Sequence, residues 1–273
     1  MSRIKGCFSQ LKEQNKKALI PYVAAGDPNP EITIDLMHAM VESGADIIEL
    51  GIPFSDPMAD GPVIQKASER ALIYGTSLTD VLAMVKSFRE INNTTPVVLM
   101  GYLNPIEIMG YENFAKTASE SGVDGVLTVD IPPEEAEVYV PVLNNYDLDP
   151  IFLLSPTTTK DRMKVICSYA SGFVYYVSVK GVTGTSALDT GEVSKRLDII
   201  RDVTDLPIGV GFGIKNADTA SAIAQFSDAV VVGSALVNLV EQNAHTLSNE
   251  QANKKIITEI SRMLSSMRTA MDA

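Results

Sequence analysis

A glutamate inside an apolar run demands a reason. Glu49 sits in the stretch Ile47–Leu50, and the chain then reads I-P-F-S-D-P-M-A-D-G-P from Ile52, a loop of prolines and glycines that carries Asp56 and Asp60. Side chains alternate along a strand, so Ile47 and Glu49 share one face while Ile48 and Leu50 share the other. A carboxylate in a short buried strand is costly unless it is paired or used. Paired, it would meet a tyrosine or lysine of the core; used, it would carry a proton. With Asp60 on the loop, two carboxylates in unlike surroundings can hold different pKa values and divide acid and base work. Isomerisation, aldol-type cleavage and decarboxylation all remain open to such a pair.

A second chemistry is written in glycines. Three clusters follow apolar runs: Gly181-Val-Thr-Gly184, Gly211-Phe-Gly213 and Gly233-Ser234. Glycines at a helix start present backbone N–H groups to an anion, helped by the helix dipole. One such cluster makes a tight turn; three on one rim point to a small phosphorylated substrate held by amides, with the 181–184 loop as a lid. Gly209-Val-Gly-Phe-Gly213 lacks the G-x-G-x-x-G spacing of a dinucleotide loop. Other chemistries find few parts. His38 and His245 have no ligand-spaced neighbour, so no metal site is expected, and no G-x-S-x-G elbow occurs. Lys180 is a minor candidate for a Schiff base, poorly desolvated beside its glycine loop. Of Tyr175 and Tyr176 one must point inward, filling a layer unless Glu49 needs a partner.

The elements that must position these residues alternate. Apolar runs at Ala18–Ala24, Asp46–Leu50, Val97–Met100, Gly125–Val129, Ile151–Leu154, Phe173–Val179, Ile208–Val210 and Ala229–Val232 are separated by helical patterns. Pro141 falls inside one of those patterns and is expected to kink or shorten it. A weak repeat runs through them: Pro21, Pro96, Pro150 and Pro207 mark the odd strands, and Asp46, Asp124 and Asp228 lead into even ones. Alternation implies a parallel sheet. Eight strands with paired-unit symmetry favour an α/β fold of the (β/α)8 TIM-barrel type over an open sheet. The expectation is a single domain, 1–273, with an extra N-terminal helix and a short phosphate-binding helix, Ala235–Glu241, after the eighth strand. Barrel enzymes place their sites at the C-terminal ends of the strands, where Glu49 and the last two glycine clusters fall.

Composition narrows the partners. The 273 residues are 45% hydrophobic with a formal net charge of -12, which opposes binding to nucleic acid or anionic membranes. No stretch is apolar enough to span a bilayer, and the mixed-charge start, Met1 to Gln14, is not expected to be a signal peptide. Two distant cysteines, Cys7 and Cys167, fit a reducing cytoplasm.

Glu49 to Gly61 closely resembles the signature of the tryptophan synthase α subunit family. So, in the family's order, do Pro21-Tyr-Val-Ala-Ala-Gly-Asp-Pro28, Met100-Gly-Tyr-Leu-Asn-Pro105, Val129-Asp-Ile-Pro-Pro133, Gly181–Gly184, Gly209–Gly213 and Val232-Gly-Ser-Ala235. The resemblance runs from the first helix to about Glu241; the tail beyond matches no motif. It implies retro-aldol cleavage of indole-3-glycerol phosphate to indole and glyceraldehyde 3-phosphate. It also implies a β subunit that carries pyridoxal phosphate in an α2β2 assembly, with no cofactor in this chain. By position it makes Glu49 the general acid/base and Asp60 the holder of the indole N–H. Tyr175 lies against the reacting centre, and Thr183, on the closing loop, meets Asp60. Gly184, Gly213, Gly233 and Ser234 hold phosphate. Tyr22 (often Phe in the family), Met100, Leu127, Phe212 and Val232 are the apolar walls. The other reading is a non-catalytic barrel that only activates a β subunit; keeping both carboxylates argues against it. The Pro53–Gly61 loop is expected to be mobile until a partner docks on the edge Pro53-Phe-Ser-Asp-Pro57.

Overall fold

The computed structural model describes residues 2–177, 190–211, 213–244 and 248–273. Eight parallel strands close a barrel in sequence order: β1 (Ala18–Ala24), β2 (Ile48–Gly51), β3 (Val97–Gly101), β4 (Gly125–Thr128), β5 (Asp149–Leu154), β6 (Val174–Val177), β7 (Ile208–Gly211) and β8 (Ala229–Val232). The seam is β1 on β8, with Ile20 opposite Val231 and Pro21 opposite Val232.

Among the described residues the helices are α1 (Arg3–Glu13), α2 (Ile32–Glu42), α3 (Pro62–Ile73), α4 (Leu78–Arg89), α5 (Leu103–Met109) and α6 (Tyr111–Ser121) in the first half. The second half carries α7 (Ala136–Asn145), α8 (Lys160–Tyr169), α9 (Thr190–Arg201), α10 (Ala217–Ala224), α11 (Ser234–Asn243) and α12 (Asn249–Asp272). The short helix expected after the eighth strand is α11.

The aspartate repeat has a physical job. Asp46, Asp124 and Asp228 stand at the feet of even strands, and each carboxylate accepts the first free N–H of the preceding odd strand. Leu19 donates to Asp46 at 2.8 Å, Val97 to Asp124 at 2.8 Å and Ile208 to Asp228 at 3.0 Å. Each aspartate N–H returns a bond to the same residue's carbonyl. In the remaining pair the odd strand offers Pro150, which has no N–H to satisfy. There Ser171 stands where the others have aspartate, and its N–H still bonds the Pro150 carbonyl at 2.9 Å. The pattern ties each pair at the N-terminal end of the barrel and leaves the C-terminal end free.

Strand alternation sorts the core in two. Ala18, Ile20, Ile47, Val98, Leu127, Ile151, Phe173, Ala229 and Val231 form the inner cluster. Leu19, Ile48, Leu50, Val97, Leu99, Val230 and Val232 belong to the outer one, beneath the helices. Helix α1 puts Ile4, Phe8 and Leu11 into the inner cluster, with the Phe8 and Phe173 rings 5.8 Å apart, so one end of the barrel is plugged.

Three departures from the sequence expectation matter. The tail after Glu241 carries a further helix, α12, of 24 residues, whose buried stripe is Ala252, Ile256, Ile260, Leu264 and Met267, the 3.6-residue spacing of a core-facing helix. Helix α5 follows β3 directly, its first N–H, Leu103, donating to the Asp130 carboxylate at 2.8 Å. Helix α7 carries Pro141 in its interior and starts at Ala136, three residues after Pro133, where the helical pattern of the sequence begins. Among the described residues, no helix is long and apolar enough to cross a membrane.

Candidate active site

Glu49 lies on β2 between Tyr22 of β1 and Val98 of β3 and is 2% exposed. Its neighbour two back, Ile47, is in the inner cluster, so Glu49 points into the barrel above that layer. Burial, with the charge of Asp60 adding to it, pushes the carboxyl up to about 8. At neutral pH it therefore holds a proton, the state a general acid needs.

Asp60 comes from a different kind of support. It ends the loop after β2, one residue before Gly61, the N-cap of α3. The Tyr102 hydroxyl donates to its Oδ2 at 3.0 Å and accepts the Ala59 N–H at 3.0 Å. The Gln65 side chain donates to the Asp60 carbonyl at 2.8 Å, and Phe54 stacks on Tyr102 with ring centroids 5.2 Å apart. This loop, expected to wait for a partner, is thus tied to α3 and to the end of β3. Burial raises the Asp60 pKa and the Tyr102 hydrogen bond pulls it back. The pair is asymmetric: Glu49 keeps the proton, and Asp60, with a donor aimed at it, is the better carboxylate. Tyr102 was not expected among the site residues; its O–H reaches back 42 positions to Asp60, beyond any local motif.

Two tyrosines line the interior. Burial first, then the charges of Glu49 and Asp60, drive both Tyr22 and Tyr175 well above the ordinary phenol range, so both stay neutral donors. Each crosses a glycine on the next strand. A Cβ at Gly51 would run into the Tyr22 hydroxyl, and one at Gly211 into the Tyr175 hydroxyl. Tyr175 is the inward member of its pair, and Tyr176 packs in the outer cluster. Met100 and Leu127 face inward, and Val129 and Leu153 join them on the inner layer. Val232 does not. It is fully buried in the outer cluster, and alternation gives the inward position to Val231. Thr183, Gly184, Phe212 and Lys180 lie outside the described residues.

Across the mouth, β7 ends in Gly211 and Gly233 follows β8. Gly213 has φ +73, a backbone that L side chains rarely adopt. Gly233 is the N-cap of α11 and sits over Tyr22, whose Cβ and Cδ1 would lie 3.6 Å from an added Cβ. The two helices that follow differ. Helix α10 is closed by its own capping box, Asn216 with Thr219. Helix α11 has no side-chain cap, and the N–H groups of Leu236 and Val237 turn back to the Gly233 carbonyl. The N–H groups of Ser234 and Ala235 precede the first intrahelical bonds and are the donors suited to an anion. Among the described residues, no group of three or more His, Cys, Asp or Glu is arranged to hold a metal ion. The His38 ring lies tilted against Phe88 with centroids 4.7 Å apart, a packing role.

The family model for the tryptophan synthase alpha chain matches residues 8–268. The tryptophan synthase alpha chain of Thioalkalivibrio sulfidiphilus is 59% identical over 272 residues, covering 100% of both chains. That of Marinobacter nauticus is 56% identical over 273 residues, 100% of this chain and 99% of its own. The crystal structure of tryptophan synthase subunit alpha from Legionella pneumophila superposes with a TM-score of 0.91 at 47% identity, covering 100% of this chain and 99% of that one. A tryptophan synthase structure from M. tuberculosis in its aminoacrylate-bound form gives 0.86 at 31% identity, covering 99% and 100%. A family model across nearly the whole length, full-length relatives above half identity and a shared closed barrel agree with the carboxylate pair and the uncapped helix: this chain belongs to the tryptophan synthase alpha chain family.

Proposed function

We propose that this chain is a carbon–carbon lyase that cleaves indole-3-glycerol phosphate to indole and glyceraldehyde 3-phosphate. The observation that carries the assignment is the unlike pair of carboxylates at the open end of the barrel, Glu49 buried on β2 and Asp60 held by the Tyr102 hydroxyl, with the uncapped start of α11 after β8. The indole ring carbon leaves poorly as a carbanion. Glu49 protonates it, and the positive charge that develops spreads to the ring nitrogen. Asp60 accepts the indole N–H bond and stabilises that charge in a site with little water. Glu49, now a carboxylate, takes the proton of the adjacent side-chain hydroxyl. The carbon–carbon bond breaks, its electron pair returns to the ring, the hydroxyl carbon becomes the aldehyde and Glu49 is protonated again. Backbone amides of Gly184, Gly213, Gly233 and Ser234 hold the phosphate, and Thr183 closes toward Asp60. Tyr22, Met100, Leu127, Tyr175 and Phe212, with Val231 in place of Val232, wall the ring.

The same reading gives the chain a β-subunit partner in an α2β2 assembly, with pyridoxal phosphate on the partner and no cofactor here. The rim supports a docking edge: Met58 is 85% exposed on the Asp60 loop and Ile108 is 80% exposed on α5. Indole release from indole-3-glycerol phosphate, with and without a β subunit, tests the assignment. Indole must appear from the purified chain alone, if slowly, and faster with the partner. No indole under either condition sinks the lyase reading.

A further inference from the structure

Beside the site lies an ion cluster, buried at Arg70 and Asp27, that the cleavage chemistry does not use. Arg70, on α3, is 8% exposed and Asp27, three residues past β1, is 3% exposed. The guanidinium grips Asp27 bidentately, Nε to Oδ1 at 2.6 Å and the second nitrogen to Oδ2 at 2.8 Å. Its other nitrogen lies 3.9 Å from Glu241 on α11, and Lys66, one turn earlier on α3, reaches the same carboxylate at 3.1 Å. One turn back along α11, Val237 packs with Ala67, Val63 and Tyr22. So Val63, Lys66, Ala67 and Arg70, one stripe of α3, meet Val237 and Glu241, one stripe of α11.

These two helices carry opposite ends of the site. Helix α3 begins directly after Asp60, and α11 begins at Gly233 and Ser234. A hydrophobic contact sets how close two helices lie but lets them slide; a bidentate guanidinium joined to a third element fixes their register. Resting on the lyase reading, we propose that Arg70 is a positioning residue. Through Asp27 and Glu241 it sets the spacing between the phosphate amides of α11 and the indole-holding Asp60, so that one molecule can satisfy both at once.

A spacing device and a mere stabiliser differ in what they do to ligands that span the site. The variant of choice is Glu241→Ala, which removes the α11 carboxylate at a partly exposed position and leaves the buried Arg70–Asp27 pair intact. Arg70→Lys, which keeps the charge and loses the fork, is the second. Both are made in a Glu49→Gln background, so that the substrate stays whole, and titrated with indole, with glycerol 3-phosphate and with indole-3-glycerol phosphate. The expected result is indole and glycerol 3-phosphate affinities within about twofold of the parent, and a loss of five- to tenfold for indole-3-glycerol phosphate. Unchanged affinity for the spanning molecule overturns the proposal. So does an equal loss for glycerol 3-phosphate, which would mean a dismantled phosphate subsite. If the parent itself fails to bind glycerol 3-phosphate, the amide site falls first and the spacing role with it.

Discussion

Between β1 and β3 the rim of the barrel presents side chains: Tyr22, Glu49, Asp60 and Tyr102. Between β7 and β8 it presents backbone: Gly213, Gly233 and the first amides of α11. The first half works by moving or orienting protons, and its residues are shifted from their ordinary pKa by burial and by one another. The second half works by leaving space and donors where a side chain would intrude. Changing the chemistry of a side chain at constant shape should break the first half and spare the second. Adding a Cβ should do the reverse.

The largest effect belongs to Glu49→Gln. An amide of the same shape neither gives nor takes the proton, so cleavage should fall roughly a hundred- to ten-thousand-fold. Stability should move the other way. The folded pKa, about 8, lies above the ordinary 4.5, so the native state binds an extra proton between those values. Wild-type stability therefore declines as pH rises from 4.5 toward 8 and carries the whole penalty above 8. Glutamine carries none of it. Urea unfolding should find Glu49→Gln more stable than wild type at pH 9, by at most about 5 kcal/mol, with the gain vanishing below pH 4.5. A variant with full activity, or one less stable than wild type at pH 9, contradicts the buried-acid account.

Tyr102→Phe comes next. It deletes a hydrogen bond to a carboxylate and keeps the ring that Phe54 stacks on. Such a bond contributes roughly 1.5–3 kcal/mol, and Gln65 still holds the loop, so a loss of about tenfold in kcat/KM is expected. The sign of the pH effect is fixed. Tyr102 lowers the Asp60 pKa, so its removal raises it, and the acid limb of the kcat/KM profile shifts to higher pH. A uniform loss at every pH would mean that Tyr102 shapes the loop without tuning Asp60.

The same contrast explains what was readable in the sequence. Glu49 announces itself, being a charge inside an apolar run, and the aspartate repeat is a local pattern with a local cause. Tyr102 does not, because its partner is 42 residues away. Gly51 and Gly211 look like any strand glycines until the tyrosines cross them. The outward turn of Val232 is not legible in the sequence for a plain reason. Strand β8 reads A-V-V-V, with no polar residue to mark a face, and only its register against β1 turns Val231 inward. Helix α12 carried a legible stripe, Ile256, Ile260, Leu264 and Met267, diluted by a polar surface.

On the backbone half the two glycines separate conformation from space. Gly213→Ala forces an L residue to φ +73, which costs about 1–2 kcal/mol and should weaken phosphate binding roughly tenfold. At Gly233 φ is -115 and the nearest atoms to an added Cβ stand at 3.6 Å, ordinary contact. Gly233→Ala should therefore cost only a few-fold, from the methyl group's own bulk beside the anion. Calorimetric titration with inorganic phosphate ranks the pair. The reverse order would mean that free volume, and not backbone conformation, governs this half.

The smallest effect is assigned to Ser234→Ala. If the hydroxyl held the phosphate, its loss would resemble that of any hydrogen bond to a charged group, about tenfold or more. On the backbone account the donors are the N–H groups of Ser234 and Ala235, which alanine keeps. Gly233 caps α11 without a side chain, so no cap is lost either. Alanine is also the better helix former at the first helical position, by a few tenths of a kcal/mol. Ser234→Ala should then bind phosphate within about threefold of wild type and melt no lower. A tenfold loss in the same titration would move the anion from the amides to the hydroxyl and make this half of the rim, like the other, a site of side-chain chemistry.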